Sequence, residues 1–287
     1  MEKRKKAKKR FSALTSFLLA LALLTGTLGA LPAECFAAQP EKAAFHSTYG
    51  FRLGSSAKME LQYRDKLEKN YKVNGNTYYG SQTDLSRQLR DQMVGRSDQV
   101  VLRLATDRRG LTGRSNSAAQ AREELFLGLL NDATAQRNSV SARDGDYLRW
   151  QLGSVSGVLY ADGNKNGVYY YRVIYYGLGY YTTAAEEQWV DRYVQKYVRR
   201  VDRNKMSDYD LAKKVHDDVC RATVYDMEMD SRYDDYDFSA YGCLYVGRCV
   251  CQGYALAYYR LGRELGLSVR FVYSDPHEGC HAWNLVQ

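Results

Sequence analysis

The chain has 287 residues, 45% of them hydrophobic and 13% aromatic, which allows one large or two modest domains with real cores and excludes a mainly disordered polypeptide. Tyrosine is in excess, 26 against 8 Phe and 3 Trp, and suits strands covered on one face, where the ring packs and the hydroxyl reaches a polar partner. The net charge of +8 is mostly a leader effect: residues 1–38 hold seven basic and two acidic side chains, a net +5, and the +3 left over removes the main support for nucleic-acid binding.

The leader comes first. Seven Lys/Arg lie within the first ten residues, Phe11 to Leu31 is apolar and uncharged, and Cys35-Phe36-Ala37 offers small residues at −3 and −1 of a cleavage site. That order predicts a secretory signal peptide over 1–38 and a protein secreted or held in the cell envelope, with no membrane span after cleavage. The competing reading of the apolar run is a single anchoring helix. Glu34, just before Cys35, does not suit lipoprotein processing.

Residues 39–80 read as a poorly organised mature N-terminus, apart from a turn at Asn74-Gly75 and a short strand through Tyr78-Tyr79. Residues 81–183 read as an N-terminal α+β region. Ser81-x-x-Asp84 opens a helix with Leu85, Leu89 and Met93 at helical spacing, Val100 to Ala105 alternates as a strand, and Ser117-x-x-Gln120 caps a second helix. Residues 147–182 are strand-like, with a hairpin turn at Asn166-Gly167. Asp162 to Gly167 also matches the first half of a calcium loop, but Val173 stands where a bidentate Glu is needed, so the hairpin is favoured.

Residues 184–287 form the next predicted domain. Thr183-x-x-Glu186 opens a helix with Val190, Val194, Tyr197 and Val201 in a stripe, and Ser207-x-x-Asp210 opens another with Leu211, Val215 and Val219. Six acidic residues between Asp226 and Asp237 read as a solvated loop in preference to a metal site. Helices and strands mix without regular βαβ alternation, so the fold class is α+β.

The segment Gly247-Arg248-Cys249-Val250-Cys251-Gln252-Gly253-Tyr254-Ala255 carries the chemistry. Cys251, Ala255, Tyr258, Gly262 and Leu265 share one stripe of a predicted helix that Gly266 ends, and a strand is predicted from Leu267 to Tyr273. Ala255 and Gly262 are small enough to let this helix approach a sheet closely. Cys251 then sits at the helix N-terminus, where unpaired N–H groups and a partial positive charge favour a thiolate. His281 heads the strand-like run Ala282 to Val286 and is the candidate general base. Five cysteines follow the leader, an odd number that suggests one free thiol in an exported protein. If that thiol is Cys251, then Cys220, Cys243, Cys249 and Cys280 form two disulfides in one of three pairings, or all stay reduced and buried.

At these residues the chain resembles the transglutaminase-like domain common in exported bacterial proteins. The resemblance spans 207–287 and rests on the helix before Tyr225-Asp226, Gly247-x-x-Val250-Cys251-Gln252-Gly253-Tyr254-Ala255, the strand after Gly266-Leu267, and His281-Ala282-Trp283-Asn284, all in order. It implies a papain-like core with the nucleophile helix packed on an antiparallel sheet, preceded by a smaller α+β region. It implies Cys251 as nucleophile, His281 as base and leaving-group acid, the Cys251 N–H as first oxyanion donor, and no cofactor or metal. The implied partner is a protein or peptide amide, possibly associated with the cell wall, with an amine acceptor giving cross-links and water giving deamidation or proteolysis. The alternatives are a catalytically impaired module of the same fold, used for binding or envelope assembly, and a Tyr-rich envelope domain in which Cys251 and His281 only pack.

One element of the family pattern has no match. The acid that orients the histidine lies on the strand after the His strand, and Gln287 comes six residues after His281. The sequence therefore reads as a fragment of a longer product, the other reading being a genuinely shorter sheet. Asn284 is no substitute, since a three-residue offset on a strand points to the opposite face.

Overall fold

The computed structural model describes residues 42–48, 67–137, 141–227, 235–274 and 281–287. The leader, most of the acidic stretch and Cys280 lie outside the described residues. Within Pro40–Gln287, which clusters as one unit, two large hydrophobic cores are joined by buried polar contacts.

The first core lies beneath a six-stranded sheet of order β1-β5-β6-β4-β3-β2. Its strands are β1 (Lys42–Thr48), β2 (Asn70–Val73), β3 (Asn76–Tyr79), β4 (Gln99–Thr106), β5 (Leu152–Lys165) and β6 (Val168–Tyr180). β3 and β4 run parallel, and the other neighbours run antiparallel. Both predicted Asn-Gly turns close hairpins, with φ of 48° and 76° at Asn74-Gly75 and 53° and 79° at Asn166-Gly167, the double positive φ a tight hairpin turn needs. Three strands thus lie inside 39–80, where composition suggested little beyond one turn and one strand. Their order comes from pairing with β4 and β5, which local composition does not encode.

α1 (Gln82–Val94) and α2 (Asn116–Ala133) cover one face of the sheet, burying Leu85, Leu89, Met93, Leu125, Phe126 and Leu130 against Leu102, Leu104, Leu159 and Val173. Ser81 caps α1 as predicted, its hydroxyl accepting from the Asp84 N–H. For α2 the cap is Ser115, which accepts from the Ala118 N–H, and not Ser117; two serines with a single residue between them leave the sequence unable to choose. On the opposite sheet face Tyr71, Tyr78 and Tyr170 cluster. Asp162 there pairs with Arg172 at 2.7 Å and accepts from the Tyr78 hydroxyl, so the calcium-like run ends in a sheet contact.

The second core surrounds α4 (Ala184–Val198), α5 (Asp208–Ala222) and α6 (Cys251–Glu264). α6 touches α4, α5 and the antiparallel pair β9 (Val269–Tyr273) and β10 (Ala282–Val286). The small-residue stripe does what its spacing predicts: a Cβ on Gly262 would come within 3.0 Å of Val269 Cγ2 on β9. β7 (Val224–Tyr225) pairs parallel with β8 (Arg248–Cys249) just ahead of α6.

Residues 146–150 are a short helix, α3, and not the strand their aromatic content suggested. Tertiary contacts override propensity here. The Asp146 carboxylate accepts from Arg270 and from the Phe271 N–H, and the Trp150 ring stacks on Phe271 and Tyr273 of β9. A buried ionic cluster adds to this junction. Glu187 on α4 pairs with Arg96 at 3.2 Å and with Arg260 of α6 at 3.7 Å, and it accepts from the Tyr147 and Thr182 hydroxyls. Arg260 is only 2% exposed, bonds Asp191 at 2.7 Å and lies over the Tyr147 ring. Buried charges persist when each has such partners.

Candidate active site

The first turn of α6 is pinned from behind and open in front. Val250 is the N-cap residue, extended at φ −93° and ψ −178°, and offers no side-chain cap. Its own N–H donates to the Asp237 carbonyl, and the first backward helical bond at this end runs from Tyr254 N–H to the Val250 carbonyl. The Cys251, Gln252 and Gly253 N–H groups therefore stand at the positive end of the helix, without a carbonyl partner among the described residues. The Gln252 amide is buried and donates to the carbonyls of Trp150 at 2.7 Å and Phe238 at 3.2 Å. Gly253 is required by space, since a Cβ there would come within 2.6 Å of the Cys249 Cβ and 2.8 Å of the Asp237 carbonyl oxygen. These contacts fix Cys251 at the helix tip with its side chain half-buried.

Cys251 opens into a cleft of about 650 Å³. His281 lines the same cleft, with Trp283 and Asn284 from β10, Tyr254 and Tyr258 from α6, and a face of α5. The His281 backbone is clamped to Ser274: its N–H donates to the Ser274 hydroxyl at 2.8 Å, and its carbonyl accepts from the Ser274 N–H at 2.9 Å. Its ring stacks on Trp283, with centroids 6.0 Å apart. Asn284 is turned toward α6 and donates to the Ala255 carbonyl at 3.1 Å, as its odd offset from His281 predicts. Cys251 and His281 thus share a cleft, with no hydrogen bond between them, and among the described residues no carboxylate contacts the His281 ring.

The other cysteines sort by environment. Cys220, Cys243, Cys249 and Cys251 are all free thiols, so no disulfide joins the four cysteines described. Cys243 and Cys249 are fully buried, and a hydrogen bond shared with Cys249, together with burial, pushes the Cys243 thiol up. A thiol held protonated and out of solvent is a packing group. Among the described cysteines, exposure leaves Cys251 and Cys220 as accessible thiols.

Two members of the acidic stretch are not solvated as expected. Asp226 and Asp237 are buried beside Arg248, 3.1 Å and 3.9 Å from its Nε. They hold β8 and the approach to Cys251 in place, a role the charge pattern alone cannot distinguish from a loop. Among the described residues, no group of three or more His, Cys, Asp or Glu side chains is arranged to hold a metal ion.

The cleft wall that sequence reasoning missed belongs to α5. Tyr209, Lys213, His216 and Cys220 line it at steps of three and four residues, adjacent to the buried stripe Leu211, Val215 and Val219. The signal was present as a second helical stripe of unusual chemistry beside the apolar one. His216 Nδ1 lies 3.1 Å from Asp217 Oδ1 and its Nε2 lies 3.7 Å from Cys220 Sγ. Hydrogen bonds from Lys213 and then His216 hold the Asp217 carboxyl down to about 2.

Residues 195–287 match the family model described as the Transglutaminase-like superfamily. The chain therefore carries a transglutaminase-like domain running from within α4 to β10, and the Cys251-bearing helix on an antiparallel pair fits the papain-like α+β core. No curated protein matches the chain.

Proposed function

We propose that this protein is an exported cysteine enzyme that forms a thioester at Cys251 from a protein or peptide amide and passes the acyl group to an amine or to water. The observation that carries it is the placement of Cys251, on an uncapped helix N-terminus that opens into the cleft His281 lines, within the segment matching the family. The Cys251 thiolate attacks the amide carbonyl, and the C–N bond breaks as His281 protonates the departing amine. The tetrahedral oxyanion is met by N–H groups of the α6 tip, the Cys251 N–H first. Basic residues, an apolar run and a small-residue site in the leader support export. No helix among the described residues is long and apolar enough to cross a membrane.

That no carboxylate among the described residues contacts the His281 ring favours a second reading, a catalytically impaired module of the same fold that binds envelope components. Incubation with a glutamine-donor peptide and a labelled amine separates the two. A labelled adduct, or release of ammonia or a cleaved peptide, that is lost in Cys251→Ser supports the enzyme; no turnover with any acceptor supports the module.

A further inference from the structure

The α5 wall of the cleft holds a second thiol with a complete relay behind it. Asp217 is ionised and can only accept, so the proton between it and His216 resides on Nδ1. That fixes the tautomer. In the neutral ring Nε2 is then the acceptor nitrogen, and it lies 3.7 Å from Cys220 Sγ. The S–H of Cys220 then donates to Nε2, and a base, an orienting acid and an accessible sulfur stand in line on one helix. Lys213 donates to Asp217 at 2.6 Å and fixes the acid's own position. Lys213, His216 and Cys220 face the same cleft as Cys251 and His281, so a molecule entering to meet one thiol meets both. The proposed acyl chemistry uses none of the three α5 groups.

We propose that Cys220 is a second nucleophilic thiol of the cleft, with His216 as its base and Asp217 as the residue that orients His216, and that it reacts with disulfides of low-molecular-weight thiols. The S–H proton of Cys220 passes to His216 Nε2 and the thiolate attacks one sulfur of R–S–S–R. A new S–S bond forms between Cys220 and RS while the old S–S bond breaks. The leaving thiolate takes the proton back from His216. The Cys220 sulfur is oxidised and the leaving sulfur reduced, so the exchange needs no further oxidant. The RS group then occupies the cleft beside Cys251 and closes it to an acyl donor until another thiol removes it. This proposal stands independently of the role given to Cys251.

The test uses the full chain with oxidised glutathione as the probe, followed by peptide mapping. In Cys251→Ser protein, one glutathionyl group should map to Cys220, and its rate should fall about a hundredfold or more in Cys251→Ser/His216→Ala, the lower end of a general base's usual contribution. Imidazole added to the buffer should restore part of that rate, which a structural effect of the substitution would not allow. Asp217→Asn should slow the exchange less, since the base remains. His216 is exposed, and its loss leaves the core intact, which an unchanged thermal midpoint verifies. A Cys220 rate equal to that of the unfolded chain, or unchanged without His216, overturns the proposal. Acyl turnover by Cys220→Ser protein is read separately, so failure here and failure at Cys251 are distinguishable.

Discussion

Two Cys–His pairs face one cleft, and each has what the other lacks. Cys251 has the helix N-terminus and the family match, yet its histidine has no acid on the ring among the described residues. Cys220 has a histidine oriented by a charged carboxylate, yet it lies near the C-terminal end of α5, where the helix dipole disfavours a thiolate. Both activation devices therefore exist around one cleft, divided between two sulfurs. An electrophile that needs oxyanion stabilisation, such as an amide, gains from the α6 tip. A disulfide, whose exchange builds no oxyanion, gains from the base alone.

The largest expected effect breaks the comparison outright. Cys251→Ser should lower amide turnover by about 10⁴-fold or more in a steady-state assay, as removal of a nucleophile does, while Cys220 remains reactive toward disulfides. Loss of both reactivities together would mean that the two sulfurs do not act separately.

The next effect concerns how firmly each sulfur is held. Glu187→Ala leaves Arg96 and Arg260 buried without their shared carboxylate and should cost about 3–5 kcal/mol in a urea unfolding curve. Because Arg260 lies on α6, labelling of Cys251 should fall in the folded variant more than labelling of Cys220. Gly253→Ala presses a methyl into Cys249 and the Asp237 carbonyl and should cost about 1–3 kcal/mol by the same measurement. It displaces the helix tip alone, so it sharpens the assignment of the oxyanion donors to that tip.

The smallest effect lies on the α5 side. The Asp217 pKa is depressed, so its contribution to stability is complete above the ordinary carboxylate range and fades as pH falls toward about 2. The group is partly exposed, so the visible change is in titration more than in folding. Lys213→Ala should move the Asp217 midpoint, followed by NMR, up toward the ordinary carboxylate value near 4.

Much of this was legible in the sequence because local rules decided it. Ser81, Thr183 and Ser207 cap their helices, both Asn-Gly turns close hairpins, and the stripe from Ala255 to Gly262 packs α6 on β9. Misreadings fell where distant partners decide. α3 is helical because Asp146 and Trp150 dock on β9, and β1 is a strand because β5 lies beside it. Buried Asp226 and Asp237 depend on Arg248, more than ten residues away from each in sequence. Of the residues that line the cleft, Cys251 and His281 stand out in the sequence through the ordered motif. His216 and Cys220 are less legible because the apolar stripe Leu211, Val215 and Val219 dominates the pattern of α5, although their i, i+4 spacing places them side by side.

We propose that Cys251 is a nucleophile activated within this cleft and assisted by His281. The most direct measurement is the alkylation rate of Cys251 by iodoacetamide near neutral pH in Cys220→Ser protein, with and without His281→Ala. The expected rate is well above that of free cysteine and falls by about tenfold or more without His281. A rate no faster than free cysteine, and insensitive to His281, would contradict it.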